Sequence, residues 1–299
     1  MEGRSRRGLS GIVAGALAAA SFAGVAYAAA AWNPGAGKQA GQFALFDGSR
    51  QVLSAFWSVP PAGLAGTLKV QQFLEDGTHP LLNYGIDMGT TAHFFLVRDD
   101  FGSFKHYNAA YNTGTGTLSH DFTKEPNHAY YLYADTHPLH MHRQVFRFKI
   151  DSTGSAQPVG PSMTASAKNS AAGPYTVIFD TTTLAANQPH LLLVTIDRDG
   201  KAAQDLSPYF GDAAHMVMIN ASTLDYVFTH PTLRGQTLDK SMSYTIDQEI
   251  RRLSENSKVG PNQQVELPAL PAGTYKVWYE FTGGVMQNTY DAPFTMTVQ

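Results

Sequence analysis

Eleven histidines and no cysteine make imidazole the side chain with which this chain can best hold a transition metal. The tightest group is His137-Pro138-Leu139-His140-Met141-His142. In an extended backbone His140 and His142 share a face with Cα atoms roughly 6.5–7 Å apart. At that spacing two rings converge on one ion at metal–nitrogen distances of about 2.0–2.1 Å. His137 supplies a third nitrogen from just upstream, and Met141 on the opposite face offers a thioether suited to Cu(I). The competing reading is a solvated hairpin crest whose histidines share no contact.

Two further pairs stand at matched places. His93 opens the apolar run HFFLV and His215 opens HMVMI. Counting forward 13 and 15 residues gives His106 and Asn108 in the first case, Phe228 and His230 in the second. His106 and His230 each fall at the end of the strand that follows, where a side chain can turn toward its partner histidine. A histidine that opens a buried strand also serves as a packed residue bonded to a carbonyl or carboxylate.

The elements that position these residues repeat. Each block closes on a Tyr-led apolar run, residues 130–135 (YYLYAD) and 275–281 (YKVWYEF), and then on an alternating run, residues 145–150 and 294–298. Self-similarity on this scale implies one fold used twice, with the two histidine sets in matching places. Within 145–150, Phe146, Phe148 and Ile150 face one way. Within 275–281, Tyr275, Val277, Tyr279 and Phe281 alternate with Lys276, Trp278 and Glu280. Such alternation predicts strands with one face in a core and one face wet. The fold expected is all-β: two tandem antiparallel immunoglobulin-like β-sandwiches. Residues 31–151 form the first and 174–299 the second, and the Ser/Ala/Gly/Pro-rich stretch 152–173 links them. Met242, Ile246, Ile250 and Leu253 recur at helical spacing, predicting a short helix inserted in the second sandwich.

Composition excludes several classes. A net charge of −3 provides no basic stripe for nucleic acid. No G-x-S-x-G elbow is present; Gly35-Ala36-Gly37-Lys38 lacks the spacing of a phosphate loop, and residues 113–117 (TGTGT) read as a turn with no helix following. Residues 1–30 read as a signal peptide, with Arg4, Arg6 and Arg7 before a small-residue apolar run and Ala26-Tyr27-Ala28 as the cleavage pattern. Sec and twin-arginine export both suit this segment. The mature chain is then periplasmic or secreted, with no further stretch approaching a membrane span.

These motifs carry a resemblance. The pattern H-(apolar)4, then [D/N]-x-x-[F/Y]-x-H-x-H-P, then G-x-Y-x-(apolar)-[F/W]-x-[D/E]-F resembles a family of bacterial exported proteins. That family has repeated β-sandwich domains, often linked to heavy-metal handling. The likeness covers most of residues 65–299, including Asp205-Leu206-Ser207-Pro208-Tyr209-Phe210-Gly211, similar to the family's L-x-P-Y-L-G run. The chain departs from it at H-x-H-P, keeping the first histidine in copy one (His106) and the last in copy two (His230-Pro231).

The function expected is an exported metal-binding or metal-resistance accessory protein, not an enzyme. Copper is expected ahead of zinc, because His and Met ligation suits an oxidising compartment. The ligand candidates are His137, His140 and His142, then His93, His106, His215 and His230. The alternative is a metal-independent immunoglobulin-like adhesion or protein-binding module, with Trp278 and Tyr131 as contacts and another exported protein as partner. In a catalytic variant of the first reading, Asp135 beside the histidines is the candidate base.

Overall fold

The structure is a computed structural model that describes residues 65–74, 78–87, 89–139, 143–151, 163, 167–236, 253–254 and 257–299, with the backbone of three short strands before residue 59. The expected signal peptide lies outside the described residues, as does the expected helix apart from Leu253. Every regular element described is a strand. Among the described residues no helix is long and apolar enough to cross a membrane.

Four sheets account for the strands, and nearly all pairings are antiparallel; Thr183–Leu184 is the parallel exception. In the first half one sheet runs Lys38–Ala40, Ser54–Ser58, Ala65–Phe73, Thr117–Thr123, Ala110–Asn112 in spatial order. The other runs Gln42–Phe43, Gln144–Ile150, Tyr130–Thr136, Ala92–Arg98, Phe104–Asn108. In the second half one sheet runs Asn169–Ala172, Tyr175–Phe179, His190–Arg198, Asn262–Leu267, Thr232–Leu233. The other runs Thr183–Leu184, Asn288–Val298, Gly273–Gly283, His215–Asn220, Tyr226–Thr229. Along these paths the order in the second half matches the order in the first; the second half adds Lys201–Ala202 beside His190–Arg198 and Leu206–Ser207 beside Gly273–Gly283.

Each half encloses its own core. Leu68, Val70 and Leu118 of one sheet meet Phe94, Leu132 and Phe146 of the other. Val177, Leu192 and Val265 meet Met216, Val277 and Phe294 in the second half. A third cluster joins the halves, with Phe95, Val97, Phe104 and Tyr133 packed on Val217, Ile219, Phe228 and Trp278. Ala92–Arg98 therefore buries both faces, Phe94 and Leu96 inward and Phe95 and Val97 outward, which is why its sequence is a continuous apolar run.

This seam corrects the expectation of wet faces. Lys276, Trp278 and Glu280 alternate as predicted but are only 8%, 3% and 2% exposed, because the first half covers them. Trp278 stacks on Phe104 at 4.7 Å and meets Phe101 edge-on at 6.0 Å. It is therefore not an open contact for a partner, and Tyr131 is half-buried against the same cluster. Polar groups fasten the seam as well. Tyr133 Oη donates to the Leu224 carbonyl at 2.9 Å, and Arg147 Nη1 donates to that of Thr223 at 3.0 Å.

A tight turn precedes each of the two strand-opening histidines. Asp87 and Thr90 bridge before His93, and Tyr209 and Asp212 bridge before His215. In the second turn Phe210 and Gly211 have φ of 50° and 88°. Both central residues are left-handed, as a type I′ turn requires, and glycine takes that conformation without a Cβ clash. Gly211→Ala is expected to cost about 1–2 kcal/mol in urea unfolding. An unchanged midpoint would show that the turn relaxes freely.

Candidate metal centre at the seam

Strand geometry brings the scattered histidines together. His93 lies on the seam face with Phe95, and His215 on the seam face with Val217. Their ring centroids are 6.4 Å apart. His106 stands opposite Phe95 in register, so it too faces the seam, and Phe228 stands opposite Val217 in the corresponding place. His230 follows Tyr226–Thr229, with its ring 5.6 Å from that of His215. His106 and His230 thus both pack against His215, their rings 5.7 and 5.6 Å from it.

On one side of the cluster a hydrogen-bonded chain crosses the seam. His93 Nε2 lies 3.2 Å from the Asp87 carbonyl oxygen, which can only accept, so Nε2 carries the proton. His93 Nδ1 is then bare and accepts from His106 Nε2 at 2.9 Å. That leaves His106 Nδ1 bare, 2.9 Å from Glu280 Oε2, where a protonated carboxyl donates to it. The electrostatics agree with this neutral assignment. Burial lowers His93 to about 3, with His106 adding to the effect. It also lowers His106 to about 3. Glu280 is pushed up to about 8 by burial, against the hydrogen bonds of Asp291 and Tyr209. Tyr209 Oη donates to Glu280 Oε1 at 3.5 Å. Asp291, the cross-strand neighbour of Glu280, is more open to solvent; partial desolvation and then the Glu280 charge raise it to about 7.

On the other side Asp212, His215 and His230 converge, with one ligand atom of each within 4.8 Å of the others. Asp212 Oδ2 is 2.9 Å from His230 Nδ1 and 4.0 Å from His215 Nε2. The closer pair is not aligned as a hydrogen bond. Two ligands of one ion with bonds of about 2.0–2.1 Å stand roughly 2.9–3.4 Å apart, so the first distance already fits and the second needs a small closure. His215 and Asp212 side chains are 0% and 3% exposed, and His230 at 12% faces the outside. His106, His215 and Glu280 also approach within 4.8 Å. In that set, however, His106 and Glu280 already bond each other.

Asp87 and His137 border this second group. Burial alone would raise the Asp87 carboxyl, but His230, His137, His93 and Arg143 around it prevail and leave it lowered. His137 Nδ1 is 3.4 Å from Asp87 Oδ2, and burial lowers its ring. Arg143 reaches across the seam, donating to the Phe228 carbonyl at 3.3 Å with its guanidinium 4.9 Å from that ring. It pairs through two nitrogens with Asp135, which also accepts from Tyr226 Oη at 3.0 Å.

The structure therefore gathers His93, His106, His215 and His230, and sets His137 at the edge of the same cluster. His140 and His142 lie outside the described residues. Asp135, the expected candidate base, is held by Arg143 and Tyr226. The residues that sequence reasoning missed are Asp87, Asp212, Tyr209, Glu280 and Arg143. A carboxylate in the turn before each strand-opening histidine was the available signal for the first two. Glu280 was hidden by its place on a face expected to be wet.

Residues 167–299 match the family described as a domain of unknown function (DUF8832). That stretch contains Asp212, His215, His230 and Glu280, whereas Asp87, His93 and His106 lie before it. No curated protein matches the chain.

Proposed function

We propose that this is an exported protein whose duplicated, immunoglobulin-like sandwiches hold one divalent metal ion at their seam. Asp212, His215 and His230 are the ligands. The observation that carries this is the convergence of two imidazoles and a carboxylate, all largely buried, within 4.8 Å. Burying such groups together is costly unless they share a charge or a full set of hydrogen bonds. Imidazole and carboxylate donors suit Cu(II) and Zn(II) alike. The Met141 thioether that favoured Cu(I) plays no part in this set. Binding rather than catalysis is the reading, because the ligands are nearly closed to solvent and the nearby bases are paired with one another.

Calorimetric titration of the mature protein with Zn(II) and Cu(II) is expected to show one seam ion, with affinity at least tenfold lower in His230→Ala and in Asp212→Asn. Affinity should fall as the solution is made more acidic, because protons compete with the metal for imidazole nitrogen. The matched comparison is His140→Ala/His142→Ala. If that double variant loses the ion while His230→Ala keeps it, the ligands belong to residues 137–142 and the seam proposal is wrong.

A further inference from the structure

The far end of the His93 strand carries another group of ligating side chains. Asp99 and Asp100 close the hairpin between Ala92–Arg98 and Phe104–Asn108, and His128 approaches from the loop before Tyr130–Thr136. One ligand atom from each lies within 4.8 Å of the other two. Six residues of extended strand put this group roughly 20 Å from His93, clear of the seam ligands.

Asp100 is partly engaged. Its Oδ1 accepts from Arg98 Nε at 2.7 Å and from the Gly102 N–H at 2.8 Å, and its Oδ2 accepts from Arg98 Nη2 at 2.9 Å. A carboxylate has about four lone-pair sites, so one remains on Oδ2. Asp99 is in a different state. It is 5% exposed, and its buried Oδ1 accepts no hydrogen bond. That oxygen looks across 3.5 Å at His128 Nδ1, which is buried and likewise without a hydrogen bond. The two form an ion-pair contact too long to satisfy the hydrogen-bonding capacity of either buried atom. Their separation is close to the ~3.4 Å between two ligands of a tetrahedral ion. Among the described residues, Arg98 pairs with Asp100 and Glu125, while the ionisable side chain facing Asp99 is His128.

We propose that Asp99, His128 and Asp100 form a second cation site, separate from the seam, that takes a Zn(II)- or Mn(II)-like ion. Two carboxylates and one imidazole are the donors such ions accept, with water completing the shell. The site has a mechanical consequence. Phe101 and Phe104 belong to the same hairpin and seat Trp278 across the seam. An ion tying Asp99 to His128 stiffens the turn on which that packing rests.

The test is Zn(II) loading of the full mature chain, read by native mass spectrometry for ion count and by anomalous diffraction for position. His128 side chain is 24% exposed, so His128→Ala should fold, and Asp99→Asn keeps the shape of the side chain. Each is expected to lower the ion count by one and to remove the anomalous peak beside Asp99, while His230→Ala retains that peak. A wild-type crystal with no peak at Asp99, or an unchanged count in both variants, overturns the proposal. A wild-type ion at Asp99 with none at Asp212 upholds it and overturns the seam reading instead.

Discussion

Replacing Arg143 with methionine is expected to destabilise the protein by about 3–5 kcal/mol, the cost of stranding a buried charge. Asp135 is the group stranded. Its side chain is 2% exposed, and after the change, among the described residues, only Tyr226 Oη would still donate to it. Arg143 itself is 20% exposed, which places the loss toward the lower end of that range. The pair sits at the seam, so the loss should appear as weakened association of the halves as well as a lower midpoint in urea. The double variant Arg143→Met/Asp135→Asn should recover much of the loss, because removing both charges leaves none unpaired. A single variant within about 0.5 kcal/mol of wild type, the usual range for surface changes, would show that water reaches Asp135 and neutralises the argument.

Glu280→Gln is expected to do the opposite above neutral pH and raise stability. Glu280 holds its proton more tightly in the folded protein than in the unfolded chain, about 8 against 4.5. Its contribution is therefore complete below 4.5 and is lost as pH rises through about 8. The slope over that window is roughly 1.4 kcal/mol per pH unit for a fully buried group. His93 and His106 behave oppositely: held near 3 against 6.5, they contribute above 6.5 and lose that contribution as pH falls through about 3. Wild type should therefore be most stable near neutrality and decline on the alkaline side. Glutamine donates to His106 Nδ1 and accepts from Tyr209 Oη with no proton to lose. Between pH 6 and pH 8 the variant should gain on the order of 2 kcal/mol relative to wild type, and its alkaline limb should flatten. Thermal unfolding across pH 6–9 reads this directly. A variant that loses stability equally at all pH values would mean that Glu280 is an ionised partner of a charged His106.

Much of the fold was legible in the chain because local pattern determines it. The alternation of Tyr275, Val277, Tyr279 and Phe281 specifies one face of a strand wherever that strand ends up. The matched spacing from His93 and His215 placed two histidines at the mouths of corresponding strands. The tertiary structure alone decided what lay against the second face. Period-two alternation says that Lys276, Trp278 and Glu280 share a side, but water and a second sheet leave the same polar signature when the covering sheet brings His106 to meet Glu280. The candidate centre divides in the same way. Residue type made histidine the expected ligand, whereas Asp87, Asp212 and Arg143 join only because two tight turns and a loop far apart in the chain end at one seam. Sequence dictates periodicity, since periodicity is a property of neighbours on one strand. Convergence of ligands depends on which surfaces exclude water together, and that is settled only when the two halves pack.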